Sequence, residues 1–535
     1  MTAETMQLAR QPGDRTPLEM FDRAVAVLGD RPLIYSFDKP IAARRVAELV
    51  DALAVGLGEL GVCRGDRVAL HLQNDPQFMI AMLAAWRLGA IAVPCSPMLR
   101  DRELAKQLID STATTLITLE QLYRGVGTAA TEMAGCVKHI LRTDPMLWAG
   151  GASSAASDDL VSIAERHLGT TCPRLAIDPD DVAVLTYTSG TTGPAKGAMN
   201  THANIAHASL IYRDCLSVAP TDTILGIAPL YHVTGLSGHI GLAIAAGAPL
   251  VLAHRFDPST TCKLIERHRT TVAIAAITAY IAIANDGAAQ RHDLSSMRAA
   301  YSGGAPIPPA AVSDISARTG LEIRPVYGLT ETTGPTHLCP PGRSAPVHND
   351  TGALSVGIAV PELAVRIVDD AGEPLTAGAI GEVALRGPQV VPGYWHQPEE
   401  TKAAFPGGEL RTGDIGIVDD DGWLYLVDRR KDLIIASGFK VWPREVEDVL
   451  YEHEAVREAA VIGVPDSYRG ETVWAYVSLK SGCQAEAAEL VAHCRTKLAA
   501  HKYPRVVQIL DELPKTQSGK ILRRELRNVA NSSQP

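Results

Sequence analysis

A chain of 535 residues, 46% hydrophobic and 21% charged, is too long for one core and too apolar to stay unfolded, so two or more packed domains are expected. Its formal net charge of −10 argues against nucleic acid as a bulk partner, so any phosphate has to be held by local donors. Nine cysteines, an odd number without a Cys-x-x-Cys pair, fit a reducing cytoplasm and buried packing roles, and sixteen histidines without a His-Glu-x-x-His argue against a zinc site. Residues 1–14 carry acids and lack the apolar stretch of a signal peptide. The apolar segment 271–284 is too short to span a bilayer, and Gly247 and Pro249 interrupt the run at 242–252, so both read as core.

Apolar residues at helical spacing predict a helix over 42–60, then a strand at 67–72, a helix over 76–88 with Asp75 as its cap, and a strand at 90–93. This βαβ-like grammar implies a sheet with helices on its faces. Residues 149–158, rich in Ala, Ser, Gly and Asp, read as a surface excursion. The apolar run 182–185 predicts a buried strand and opens into Thr186-Tyr187-Thr188-Ser189-Gly190-Thr191-Thr192-Gly193-Pro194-Ala195-Lys196-Gly197. Glycines let backbone N–H groups turn toward an anion without a Cβ in the way, hydroxyls donate, and Lys196 adds a positive charge: this is phosphate-holding chemistry. The P-loop template fails here, because Gly197 stands where that motif needs a Ser or Thr hydroxyl for magnesium. An ordinary surface loop shares the composition but not the ordered spacing.

His232, after Ala228-Pro229-Leu230-Tyr231, suits a satisfied core histidine as well as a substrate contact. Asp257-Pro258 reads as an N-cap followed by proline at the first position of a helix to about 268. Strands at 272–275 and 299–302 follow, the second ending in the turn Gly303-Gly304-Ala305-Pro306, and a strand at 321–326 runs into Tyr327-Gly328-Leu329-Thr330-Glu331. Short strands at 364–368 and 381–385, set among Gly, Pro and Asp turns, predict a small β-subdomain. Asp414, in Arg411-Thr412-Gly413-Asp414, is a carboxylate suited to accept from both hydroxyls of a ribose. After a strand at 423–427, the charged knot Asp428-Arg429-Arg430-Lys431-Asp432 marks a domain boundary. Gly438-Phe439-Lys440-Val441-Trp442-Pro443 leads into a helix to about 453. Strands near 459–462 and 473–479 and a helix over 485–498 complete a small α+β domain, which closes on Pro514-Lys515-Thr516-Gln517-Ser518-Gly519-Lys520.

In this order the motifs resemble those of the acyl-adenylate-forming superfamily: acyl-CoA synthetases, peptide-synthetase adenylation domains and luciferases. The resemblance covers about residues 20–528 and is strongest to bacterial fatty-acyl-CoA synthetases. It implies an α/β fold in which a large N-terminal domain over 1–430 combines parallel-sheet α/β subdomains with a small β-subdomain at about 352–427. A smaller, mobile α+β domain over 431–535 carries the catalytic lysine.

The resemblance also implies roles. Thr188, Ser189, Gly190, Thr191, Thr192, Gly193 and Lys196 surround the phosphates of ATP, and Gly303, Gly304, Ala305 and Gly328 admit adenine and the acyl group against backbone. Tyr327 stacks on adenine, Thr330 meets the α-phosphate, Glu331 binds magnesium, Asp414 the ribose and Arg429 the nucleotide. His232 stands by the acid, Lys431 is the hinge, Gly438 and Lys440 face the pantetheine tunnel for CoA, and Lys520 is catalytic. The implied activity is an ATP-dependent carboxylic acid–CoA ligase in the cytoplasm: adenylate formation with pyrophosphate release, then rotation of the C-terminal domain and thioester formation. The alternatives are an enzyme that stops at acyl-AMP or serves a carrier protein, and a silent acyl-nucleotide binder. A homodimer is compatible with the reading. Small residues at Gly303, Gly304, Ala305, Gly328 and Gly334 suggest a roomy pocket for a medium or bulky apolar acid.

Overall fold

The computed structural model describes residues 14–149, 160–188, 195–429, 432–436, 439–466, 469–516 and 520–532. Of the surface excursion expected over 149–158, all but Ala149 lies outside them, as do Lys431 and Gly438.

Three sheets organise these residues. One has six strands in the order His139–Thr143, Thr115–Leu119, Arg67–His71, Ile91–Pro94, Val182–Tyr187, Gly197–Thr201. Its first five strands are parallel, and the last turns back on its neighbour as an antiparallel hairpin. A second sheet of thirteen strands contains both a parallel and an antiparallel part, joined by Ile323–Leu329. That strand pairs parallel with Ala299–Ser302 through Ile323 to Pro325, then antiparallel with Gly334–Leu338 from Val326 onward. The strands expected as a small β-subdomain, Ala364–Val368 and Gly381–Arg386 among them, therefore extend the same sheet. A third sheet of five strands, including Ile434–Ala436, Val456–Asp466 and Gly470–Leu479, belongs to the C-terminal part.

The first two sheets share a core. Val68 and Leu70 of one sheet and Leu33, Ile34 and Ile224 of the other pack into a single apolar cluster around helices Ala43–Glu59, Pro76–Arg87 and His202–Cys215. Pro76–Arg87 is buried at every position, the pattern of a helix with neighbours all round. Its Trp86 satisfies the indole N–H by donating to the Ala183 carbonyl at 2.8 Å. The C-terminal part has its own cluster, with Val446, Leu450, Val461, Val473 and Leu490 at its centre. No helix among the described residues is long and apolar enough to cross a membrane.

Local signals acted as expected at helix Pro258–His268, where the Asp257 carboxylate accepts the Thr260 N–H at 2.7 Å. They did not at Asp75. It stands at the cap position of Pro76–Arg87 but makes no side-chain cap bond; its buried carboxylate is taken instead by His254 Nδ1 at 2.6 Å. A partner 179 residues away competes successfully with the local backbone.

Candidate active site

The glycine-rich stretch joins two strands that pair antiparallel, Val182–Tyr187 and Gly197–Thr201. Tyr187 pairs with Gly197, Thr188 N–H donates to the Lys196 carbonyl at 2.9 Å, and Lys196 N–H donates to Thr188 Oγ1 at 3.3 Å. Ser189, Gly190, Thr191, Thr192 and Gly193 lie outside the described residues.

The segment around Tyr394 clasps this hairpin to the acidic motif. Trp395 N–H donates to the Gly197 carbonyl at 2.8 Å, and Met199 N–H to the Gly393 carbonyl at 3.0 Å. Val391 N–H donates to the Glu331 carbonyl at 2.9 Å, and the Tyr394 hydroxyl donates to Glu331 Oε1 at 2.7 Å. Lys196 Nζ stands 5.0 Å from the centre of the Tyr394 ring, in the range of a cation–π contact. Burial and the Glu331 charge push the Tyr394 phenol well above its usual range, so it remains a donor. Sequence reasoning passed over Tyr394. Its only signal is an aromatic residue in a Pro/Gly turn, and nothing local ties it to Lys196 or Glu331.

Strand Ile323–Leu329 delivers Tyr327, whose hydroxyl donates to Asp414 Oδ2 at 2.6 Å. Arg429 Nε holds the other oxygen of Asp414 at 3.0 Å. Asp414 raises the Arg429 pKa still further, so the guanidinium is fixed as a cation. Thr330 and Glu331 follow in a short 3₁₀ turn, pinned where Asn200 Nδ2 donates to the Thr330 carbonyl at 3.3 Å.

The glycines here do other work than expected. A Cβ on Gly303 would come within 2.5 Å of the Val326 carbonyl oxygen, and one on Gly328 within 2.0 Å of the Gly334 oxygen. On Gly334 it would come within 2.9 Å of Ser237 Oγ and 3.0 Å of Ala208 Cβ. At these three positions the direction of a Cβ is already filled by main chain or side chains, which corrects the expectation of open space at Gly303 and Gly334; Gly328, like Gly304 and Ala305, still lines the cavity described below. Gly304 differs: its φ of +81° requires glycine, and nothing lies within 4 Å of where a Cβ would point.

One cavity gathers part of this set; Lys196, His232, Gly303, Thr330 and Glu331 are not among its lining residues. Gly304, Ala305, Tyr327, Gly328, Asp414 and Arg429 line one side, and Thr516, Lys520 and Arg523 of the C-terminal part line the other. Lys520 is tied to Thr516: Thr516 N–H donates to the Lys520 carbonyl at 2.7 Å and Lys520 N–H to Thr516 Oγ1 at 3.1 Å. Its charge is felt by His232, whose pKa falls to about 4, first through burial and then through Lys520. His232 is thus neutral near pH 7. Its Nδ1 faces Thr234 Oγ1 at 3.2 Å and accepts from Thr234 N–H at 3.4 Å, so the ring shapes the local turn as well as lying within reach of the lysine's field. Lys440, on strand Phe439–Val441, is exposed and outside the cavity lining; this arrangement does not bring it to the other groups.

The family described as "AMP-binding enzyme" matches residues 21–395, and its "AMP-binding enzyme C-terminal domain" matches 445–520. A long-chain-fatty-acid–CoA ligase of Bacillus subtilis (strain 168) is 36% identical over 98% of this chain and 98% of its own. A feruloyl-CoA synthase of an Amycolatopsis species is also 36% identical, over 91% of this chain and 92% of its own. Among solved structures, the anthranilate–CoA ligase AuaEII in complex with anthranoyl-AMP superposes with a TM-score of 0.87 at 29% identity, covering 99% of each chain.

Proposed function

The chain belongs to the AMP-binding enzyme family, and from that premise we propose how its residues join a carboxylic acid to CoA at the expense of ATP. It is an acid–CoA ligase of the adenylate-forming type: a carboxylate attacks the α-phosphorus of ATP, pyrophosphate leaves, and the acyl-adenylate is then opened by the CoA thiol after the C-terminal domain rotates. The observation that carries the assignment of roles is the single cavity in which Tyr327, Asp414 and Arg429 face Lys520.

The first step brings two anions together, and the reading assigns the remedy to cations and donors. Lys520, with Lys196 and the N–H and hydroxyl groups of residues 188–193, offsets the repulsion and stabilises charge building on phosphorus. A cation about 4 Å away at an effective dielectric near 20 contributes on the order of 4 kcal/mol, roughly a thousandfold in rate if felt only in the transition state. Thr330 donates to the α-phosphate, Tyr327 carries adenine, and Asp414 accepts from the ribose with the lone pairs that Tyr327 and Arg429 leave. Magnesium fits at Glu331: Tyr394 engages one carboxylate oxygen and leaves Oε2 for a hard cation, which would neutralise phosphate charge. Such an ion takes most of its ligands from phosphate and water, so one carboxylate suffices.

The domains divide at 430/431, with Lys431 as the hinge. Rotation there withdraws Lys520 and turns the Gly438–Lys440 face toward the thiol, which accounts for an exposed Lys440 in the present orientation. The acid is apolar and of the fatty-acid type, supported by the full-length likeness to the Bacillus subtilis ligase. The equally identical feruloyl-CoA synthase makes aryl acids the second class to test. Mass spectrometry of reactions with ATP, magnesium and panels of aliphatic and aryl acids, with and without CoA, tests both. Acyl-CoA from the aliphatic panel supports the reading. Acyl-AMP that persists with CoA present, or product from aryl acids alone, overturns it.

A further inference from the structure

The two domains meet across buried ions that neither half-reaction consumes. Arg444 lies in the first turn of helix Pro443–Tyr451, in the C-terminal domain, and is only 4% exposed, yet its guanidinium serves the other domain. One Nη donates to the Leu426 carbonyl at 3.0 Å and the other to the Ile307 carbonyl at 3.3 Å. Its backbone N–H donates to Asp428 Oδ2 at 3.0 Å. Asp428 is also approached by Arg523 at 3.7 Å, and Arg523 is tied within its own domain to Asp432 at 3.2 Å and Glu447 at 2.7 Å.

Leu426, Ile307 and Asp428 precede the hinge, whereas Arg444 and Arg523 follow it. Rotation at residue 431 therefore has to undo each of these bonds and return a carboxylate and two carbonyls to water. A guanidinium suits the task because its planar fork spans two separate carbonyls at once, where an ammonium is a single point charge. Ile307 lies two residues past Ala305, in the turn that lines the cavity beside Gly304, so the grip is also a grip on that turn.

We propose that Arg444 is a positioning residue for adenylate formation: by clasping the carbonyls of Leu426 and Ile307 it holds the C-terminal domain in the orientation that presents Lys520, and so sets the balance between the two half-reactions. This rests on the rotation described above.

The test uses the full chain with Arg444→Met and Arg444→Lys. Acyl-AMP formation is followed without CoA, and thioester formation is followed from supplied acyl-AMP. In Arg444→Met the first rate should fall tenfold or more while the second is unchanged or faster, and Arg444→Lys should recover part of the loss. Equal loss of both half-reactions, loss of the second alone, or no change in either overturns the proposal. If the Met variant does not fold, the Lys variant alone must show the same split, smaller in size, or the proposal fails. Lys520→Ala, run in parallel, separates the causes: if it too slows both half-reactions equally, the rotation scheme is at fault rather than Arg444.

Discussion

The two walls of the cleft are held in place by different chemistry. The N-terminal wall is backbone against backbone, with Gly303 beneath the Val326 carbonyl and Gly328 against Gly334, on sheets that share an apolar core. The facing wall is held to it by ions: Arg444 engages the Leu426 and Ile307 carbonyls and, through its N–H, Asp428, which Arg523 also approaches. Close packing has one good arrangement, because any shift leaves voids or overlaps. Ion pairs and hydrogen bonds exchange with water at modest net free energy once solvent can enter. A wall that has to be fixed and a wall that has to come away are built accordingly.

The comparison is tested most severely at Lys520, the residue proposed above to serve the first half-reaction. Lys520→Ala should lose roughly a thousandfold in acyl-AMP formation, about 4 kcal/mol, yet still convert supplied acyl-AMP to thioester; rapid-quench measurement of each half-reaction checks this. On the fixed wall no such separation is expected. Gly328→Ala forces a Cβ to within 2.0 Å of the Gly334 oxygen, and should cost about 3 kcal/mol in denaturant unfolding and slow both half-reactions together.

The ionic wall should also respond to pH. Burial lifts the Asp448 carboxyl, beside Arg444, to about 7. A raised folded-state pKa adds stability that is complete below the ordinary carboxylate range, near about 4, and is lost as pH rises through the folded value. Asp448→Asn, which cannot ionise, should therefore draw ahead of the natural chain between pH 5 and pH 8, by about 2 kcal/mol or more at the upper end, in thermal unfolding at each pH. The smallest effect is expected at Tyr394→Phe. Removing the hydroxyl that orients Glu331 should weaken Mg·ATP binding by roughly tenfold, about 1.4 kcal/mol, in calorimetry without acid, with Tm nearly unchanged.

What was legible in the sequence was local. Asp257-Pro258 announces helix Pro258–His268, and the strand Ala364–Val368 stands where alternation and turn residues placed it. The order of motifs singled out Tyr327, Asp414, Arg429 and Lys520, and these four line one cavity. Hidden were features whose partner is distant in the chain. Asp75 meets His254 instead of its own helix, Tyr394 meets Glu331 across 63 positions, and Arg444 meets Ile307 across 137. The glycines misled for a related reason: a residue without a side chain looks the same in sequence whether it makes space or occupies the last of it.

The clasp at Tyr394 has a consequence for the order in which the molecule is made. The hairpin that ends at Thr201 is bridged at Ala198 to Tyr394, so this strand meets its clasp only after nearly two hundred further residues have been synthesised. At about 5–20 residues per second, this leaves roughly ten to forty seconds on the ribosome in which the strand has been made but its clasp has not. Contacts of such long sequence separation form late in folding. The newborn chain therefore carries the glycine-rich sequence well before it carries the assembled site.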